Sequence, residues 1–458
     1  MVKTNRKLSN AIEGALAGGG DPATSPLYVF GPFFKLIVLA GVAKITFGAS
    51  IWLAVLTILV VSWVYRLVIY WITDGSGGSG LDEEEFGHWA LKIDASIAFV
   101  EYTLTFLVSM SAMVTFLADR FPVLNENLFG IQLRTIFAIG ASFLTGWLVN
   151  RGPKTAFKVF GPATAGILLL LWSMIFAVIW KYGLQFPDFN LEAFSPEYVN
   201  FTLGGFVRIL AVMTGIEVFA NLVAAYEGPP VERSRKAFGS LAIIMGTTIM
   251  TMLIVGPAIY RLSDPTNGEI SVFTQTMDGL LPQPLSYLGS IAGIAVLLSA
   301  SAASALGLQN LAMGLSHRHY LPAVIGQPNK FEVADKPVWI QVAVCSLLFL
   351  LVGTDEGLYL AIYAAGVFIM LSMTAWATSK RLLREWRESV SVKKFLGVIG
   401  AALAALMTSA ATYIIFVERF WDGVWIYFLF IPTLFLMFTY FHEKMVEKRP
   451  SDKSVIVR

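Results

Sequence analysis

The chain has one cysteine and little charge. Cys345, alone among 458 residues, excludes an internal disulfide framework and any cysteine-based metal site. Charged residues make up 14%, against about 25% in soluble domains, which excludes a large water-soluble globular body. A net charge of +2 leaves no basic footprint for nucleic acid. Only four histidines occur, His88, His317, His319 and His442, all near the ends of apolar segments. His317 and His319 are too close in sequence to form a helical metal pair. No nucleophile–base–acid arrangement and no Walker-type phosphate loop occurs. An enzyme, a primary pump and a bound cofactor are therefore not expected. The basic N-terminus (Lys3, Arg6, Lys7) precedes an apolar stretch with no clean small-residue cleavage site, so no signal peptide is expected.

What is present is apolar length. Hydrophobic residues reach 56% and the mean hydropathy is +0.68. A membrane crossing takes about 20 apolar residues. Twelve such segments are expected, near 10–43, 49–73, 89–118, 132–149, 155–181, 203–226, 238–261, 285–315, 338–353, 357–379, 396–416 and 422–441. The fold class expected is an all-α membrane protein, a single transporter domain with the lipid bilayer as its surround. Basic residues concentrate in alternate loops, at Arg151, Lys154 and Lys158, at Arg233, Arg235 and Lys236, at Arg318, Lys330 and Lys336, and at Lys380–Lys394. The tail adds Lys444, Lys448, Arg449, Lys453 and Arg458. By the positive-inside bias, both termini face the cytoplasm. The loop from Asp74 to Gly87 breaks this pattern, being glycine-rich and acidic; it reads as a flexible solvated turn.

The first segment contains Gly18-Gly19-Gly20-Asp21-Pro22-Ala23-Thr24-Ser25-Pro26-Leu27-Tyr28. Three glycines and two prolines cannot sustain a regular helix, and an Asp at mid-bilayer costs about 2.5–3.5 kcal/mol. A broken helix carrying an acid is the usual form of an ion or substrate site in a transporter. The sixth segment has a similar pairing, Thr214-Gly215-Ile216-Glu217, followed by Asn221. Two broken spans, five apart, predict a five-plus-five inverted repeat, with 10–181 as the first repeat and 203–379 as the second. Residues 396–441 would be accessory helices and 442–458 a short cytoplasmic tail. On the third span Glu101, Thr105 and Ser109 fall at helical spacing on one face, and Tyr363 stands beside glycine in Tyr363-Ala364-Ala365-Gly366.

Carboxylate, hydroxyl and phenol oxygens suit a hard alkali cation. The candidate cation site is Asp21, Thr24, Tyr28, Glu101, Thr105, Ser109, Thr214 and Tyr363. Glu217, Glu101 and Asp21 are the candidates for proton coupling. Any metal would be potassium, held by these same oxygens as cargo. The structural alternatives are hydroxyls bonded to their own backbone, tyrosines anchored at the interface, and Glu217 paired with Arg208. Lys35 and Arg208 are expected to snorkel outward.

These residues resemble a known family. Gly20-Asp21-Pro22-Ala23-Thr24-Ser25-Pro26-Leu27-Tyr28 is similar to the signature of Kup-type potassium uptake permeases, departing at Pro22 and Ala23. Glu101-Tyr102-Thr103-Leu104-Thr105, Thr214-Gly215-Ile216-Glu217 and Tyr363-Ala364-Ala365-Gly366-Val367-Phe368 resemble motifs of the KimA-type branch of the amino acid–polyamine–organocation superfamily. The resemblance implies a LeuT-like fold and proton-coupled potassium uptake by alternating access. It implies that Asp21, Tyr28, Glu101, Thr105, Ser109, Thr214 and Tyr363 surround the ion. The third-span acid is Glu here where the branch has Asp. The chain stops soon after the last span, so that branch's cytosolic nucleotide-sensing domain is not expected. An amino acid or amine permease of the same superfamily is the alternative. A divalent metal carrier is less favoured, because Ala23-Thr24 stands where Nramp-type transporters have Gly-Asn.

Overall fold

A computed structural model describes residues 7–128, 130–267 and 269–447; the side chains of 153–161 and 445–447 lie outside that description. Lys3 and Arg6, the side chains of Lys154 and Lys158, and the tail from Lys448 onward are therefore outside it too. Helices dominate. The first expected span is divided: α1 (Ala11–Gly18) ends where Gly19 donates its N–H to the Ala15 carbonyl at 2.8 Å. A tight 3-10 turn, Pro22–Thr24, leads into α2 (Ser25–Leu39). Pro22 and Pro26 sit at the starts of these two segments, where a missing N–H costs nothing. Asn10 caps α1 by accepting from the Glu13 N–H at 2.9 Å.

Then follow α3 (Ala43–Trp71), α4 (Gly77–Phe86), α5 (His88–Arg120), a two-residue hairpin of β1 (Asn127–Leu128) and β2 (Ile131–Gln132), α6 (Leu133–Val149) and α7 (Pro153–Tyr182). The sixth expected span is also divided. α8 (Val199–Leu210) gives way to a 3-10 turn, Ala211–Met213, and the chain resumes as the one-turn α9 (Val218–Asn221). The remainder is α10 (Pro230–Met250), α11 (Gly256–Leu262), α12 (Val272–Leu280), α13 (Gln283–His317), α14 (Ala323–Gly326), α15 (Asp335–Val352), α16 (Glu356–Glu388), α17 (Val392–Arg419) and α18 (Ile426–Glu447).

Among the described residues, eleven helical stretches are long and apolar enough to cross a bilayer. The fourth expected span, α6, has 17 residues; at about 1.5 Å per residue it falls slightly short of an apolar core about 30 Å thick. α5 and α13, with 33 and 35 residues, exceed that thickness and fit a bilayer only when tilted. Leu169, Phe176, Ile291, Leu351 and Leu406 stand exposed on the outside of the bundle, the reverse of a water-soluble surface. The chain is a multi-pass membrane protein.

Packing puts the two divided spans in the middle. α5 lies along α13 and α16, α2 and α3 both pack on α8, and α1 packs on α10. The aromatic side of α2, with Phe30 and Phe33 fully buried, fills the space between these helices.

One expectation is corrected. Asp74 to Gly87 is not a solvated turn, because its larger part is α4. Gly78, Leu81, Asp82 and Glu85 recur at helical spacing and form its buried face. Glu85 is held by two bonds from the Arg384 guanidinium, 2.6 and 2.9 Å, and Glu84 pairs with Arg381 at 2.9 Å. Two of the acids that suggested solvation, Glu84 and Glu85, are thus matched by bases on α16.

Candidate functional site

The two interruptions meet. Gly215 adopts φ +80, and a Cβ there would lie 2.9 Å from Pro22 Cδ and 3.0 Å from Asp21 Oδ2. Only glycine combines that backbone conformation with so close an approach. Across the same junction the Ser25 hydroxyl lies 2.9 Å from the Thr214 hydroxyl, and 3.3 Å from that of Tyr28. The Tyr363 hydroxyl donates to Asp21 Oδ2 at 3.3 Å. Asp21 Oδ1 is sealed from solvent and has no hydrogen-bond partner, and the same holds for Glu217 Oε2. Glu101, buried on α5, feels the charges of both Glu217 and Asp21. Three carboxyl groups thus converge from α5 and the two interruptions.

Among the described residues no basic side chain balances them. Arg208 instead bonds Glu418 at 2.7 Å and the Gly204 carbonyl at 2.8 Å, so it does not pair with Glu217. Lys35 lies on the wall of the cavity described below. Carboxylates without a cation at membrane depth are unstable as charges. The arrangement can therefore hold a bare cation, protons or both.

Not every expected residue offers a free oxygen. The Thr24 hydroxyl donates to the Asp21 carbonyl at 2.6 Å, and the Thr105 hydroxyl to the Glu101 carbonyl at 2.9 Å. Each hydroxyl retains acceptor lone pairs. Ser109 is buried two turns beyond Glu101 and is not hydrogen-bonded to the acids among the described residues. The structure adds tyrosines that sequence patterning missed. Tyr65 lies in the field of Glu217, Asp82 and Glu101; Tyr102 in that of Glu101, Glu217 and Asp21; Tyr427 in that of Glu101. The Tyr427 hydroxyl is buried without a hydrogen-bond partner and occupies the space that a side chain at Gly366 would take. Tyr102, adjacent to Glu101, could have been suspected. Tyr427, on the last helix, carried no local signal.

A cavity of about 590 Å3 leads away from the site. It begins at Tyr28 and is lined by Lys35, Asp119, Arg134, Glu356 and Arg419, so both signs of charge face it. The larger groove, about 820 Å3, is apolar and lies among α16, α17 and α18, lined by Tyr413, Phe416 and Trp421. It touches none of the three acids and is not the site. Among the described residues no group of three or more His, Cys, Asp or Glu side chains has metal-holding geometry.

The helix set and the site define a multi-pass membrane protein with a charged, partly enclosed centre. No family model matches the chain. It is 23% identical over 416 residues to the potassium transporter KimA of Bacillus subtilis (strain 168), a similarity covering 88% of this chain and 66% of that protein. The chain thus spans about two thirds of the length of the curated relative it matches. That relative is a transport protein rather than an enzyme.

Proposed function

We propose that this protein is a secondary active importer of potassium, coupled to protons and working by alternating access. The observation that carries the reading is the convergence of Asp21, Glu101 and Glu217 without a basic partner. The similarity to a potassium transporter supports it. In this reading the two divided spans are the discontinuous helices of a LeuT-like inverted repeat, 10–181 and 203–379, of the amino acid–polyamine–organocation type. Residues 396–441 are accessory, and both termini lie in the cytoplasm. Asp21, Tyr28, Thr214 and Tyr363 form one wall of an oxygen cage. Glu101, with Thr105 and Ser109 along its helix, forms the other, and the Thr24 hydroxyl tethers the turn that bears Asp21. Glu217, sealed and unpartnered on one oxygen, exchanges the coupled proton.

The energetics favour coupling. A potential of 100 mV supplies about 2.3 kcal/mol per charge. Since about 1.4 kcal/mol is tenfold, an uncoupled cation accumulates under two decades. A co-moving proton roughly doubles the electrical drive. The test is growth of a potassium-uptake-deficient bacterium at low potassium. Expression of the wild-type chain restores growth and Asp21→Asn does not. Failure of the wild type, with the protein present in the membrane, overturns the reading. Uptake of an amine or amino acid abolished by Asp21→Asn would move it to the permease alternative.

A further inference from the structure

A second pair of acids lies outside the central site. Asp82 on α4 and Asp94 on α5 are each 1% exposed, and their side chains contact one another. The Thr374 hydroxyl donates to Asp82 Oδ2 at 3.2 Å. Asp82 Oδ1 and both oxygens of Asp94 are sealed from solvent, and no donor meets them at hydrogen-bonding geometry, although Ser79 lies close to Asp94.

The nearby bases are engaged elsewhere. Arg384 and Arg381 bond Glu85 and Glu84, Lys380 bonds the Glu85 carbonyl, and Glu83 is paired with His88 at the start of α5 at 2.7 Å and with Arg318 at 3.6 Å. On α5, Lys92 turns away to the Thr439 hydroxyl at 3.0 Å. From α3, Tyr65 faces the pair and feels both Asp82 and Glu217. It supplies no positive charge. Burial, and then the neighbouring Asp94, push the Asp82 carboxyl well above its ordinary range.

α4 is seated by close backbone approach. A Cβ on Gly77 would collide with the Asn221 amide at the end of α9, and one on Gly78 would lie 2.6 Å from Thr374 Oγ1. The glycine run thus lets α4 lie against the second divided span, α5 and α16.

We infer that Asp82 and Asp94 share one proton and that this shared proton latches α4 over its end of the transport site. With the proton bound, one carboxyl donates to the other and the pair carries a single charge. Without it, two adjacent charges are buried with one hydroxyl between them, and repulsion drives α4 off α5. The latch is therefore fully closed at low pH and loosens as pH rises through the titration of the pair. The inference does not depend on which cation is carried.

Two measurements on the purified full-length protein test it, both made without potassium or transport. Infrared spectra at neutral pH should show the carbonyl stretch of a protonated buried carboxyl. Asp94→Asn and Asp82→Asn should each remove a component of it that Asp21→Asn leaves in place. Hydrogen exchange of residues 74–87 is then compared between wild type and Asp94→Asn at matched pH, so that the intrinsic pH dependence cancels. The two should exchange alike at about pH 6, and the wild type several-fold faster at about pH 9. Asp82→Asn repeats the comparison should Asp94→Asn fail to fold. An infrared component unchanged in both variants, or an exchange ratio independent of pH, overturns the latch. Thermal stabilisation by sodium or potassium that needs both aspartates would show a metal ion in place of the proton and also overturn it.

Discussion

The two ends of the central site are built differently. On the Tyr28 side, a cavity of about 590 Å3 lined by lysine, arginines and acids reaches the site. On the other side, α4 lies against α9, α5 and α16, with glycines at the points of nearest approach. Both regions hold buried acids. Those of the centre are surrounded by tyrosine rings and hydroxyls, whereas Asp82 and Asp94 have each other and one threonine hydrogen bond, with Tyr65 and Ser79 nearby. An oxygen-rich cage suits an ion that comes and goes. A bare acid pair under a packed helix suits a proton that holds a surface closed. The contrast shows that buried carboxylates are not equivalent: the donors around them decide what they bind.

Substitutions can break this contrast, beginning with the centre. Removing one partner of a desolvated charge contact costs about 2–5 kcal/mol. Asp21→Asn is therefore expected to lower potassium uptake at least about 30-fold in flux assays, with the protein still in the membrane. At the closed end, Gly78→Leu forces a side chain into Thr374. Overpacking of this kind costs about 1–3 kcal/mol, read as a lower melting temperature and faster proteolysis within 74–87. Tyr427→Phe removes a buried hydroxyl that, among the described residues, rests against the Gly366 backbone without meeting a partner at full hydrogen-bonding geometry. If that hydroxyl faces the ion or its water, the loss of about 0.5–1.5 kcal/mol raises the potassium KM about two- to tenfold without lowering the melting temperature. The smallest effect is expected at the open end. Gly31, inside α2 and on the cavity wall, has no neighbour within 4 Å of a built Cβ. Gly31→Ala should leave uptake unchanged and stabilise the helix by about 0.5–1 kcal/mol.

Much of this was legible in the sequence. Apolar run length located the helices, since crossing a bilayer imposes a length that composition alone reveals. Gly18–Gly20 with Pro22 and Pro26 marked where α1 stops and α2 begins, because those residues act locally on the backbone. Asp21, Glu101 and Glu217 stood out because an acid in an apolar run is costly wherever it points. Other features were not local. α4 looked like a loop because Glu84 and Glu85 are matched by Arg381 and Arg384, some 300 positions away in the chain, and only helical periodicity over Gly78, Leu81, Asp82 and Glu85 hinted otherwise. Asp94 lay within an apolar span yet went unnoticed, since its significance comes from Asp82. Tyr65 and Tyr427 approach the centre through packing of α3 and α18, which no spacing rule encodes.

The account rests on potassium being carried through the centre under proton control. The most direct measurement is potassium flux into proteoliposomes, with the voltage and the proton gradient imposed separately. The account predicts uptake by the wild-type protein that each gradient increases, no uptake by Asp21→Asn, and uptake by Glu217→Gln that no longer responds to the proton gradient. Potassium flux equal in wild type and Asp21→Asn, or absent from folded wild-type protein under both gradients, would contradict it.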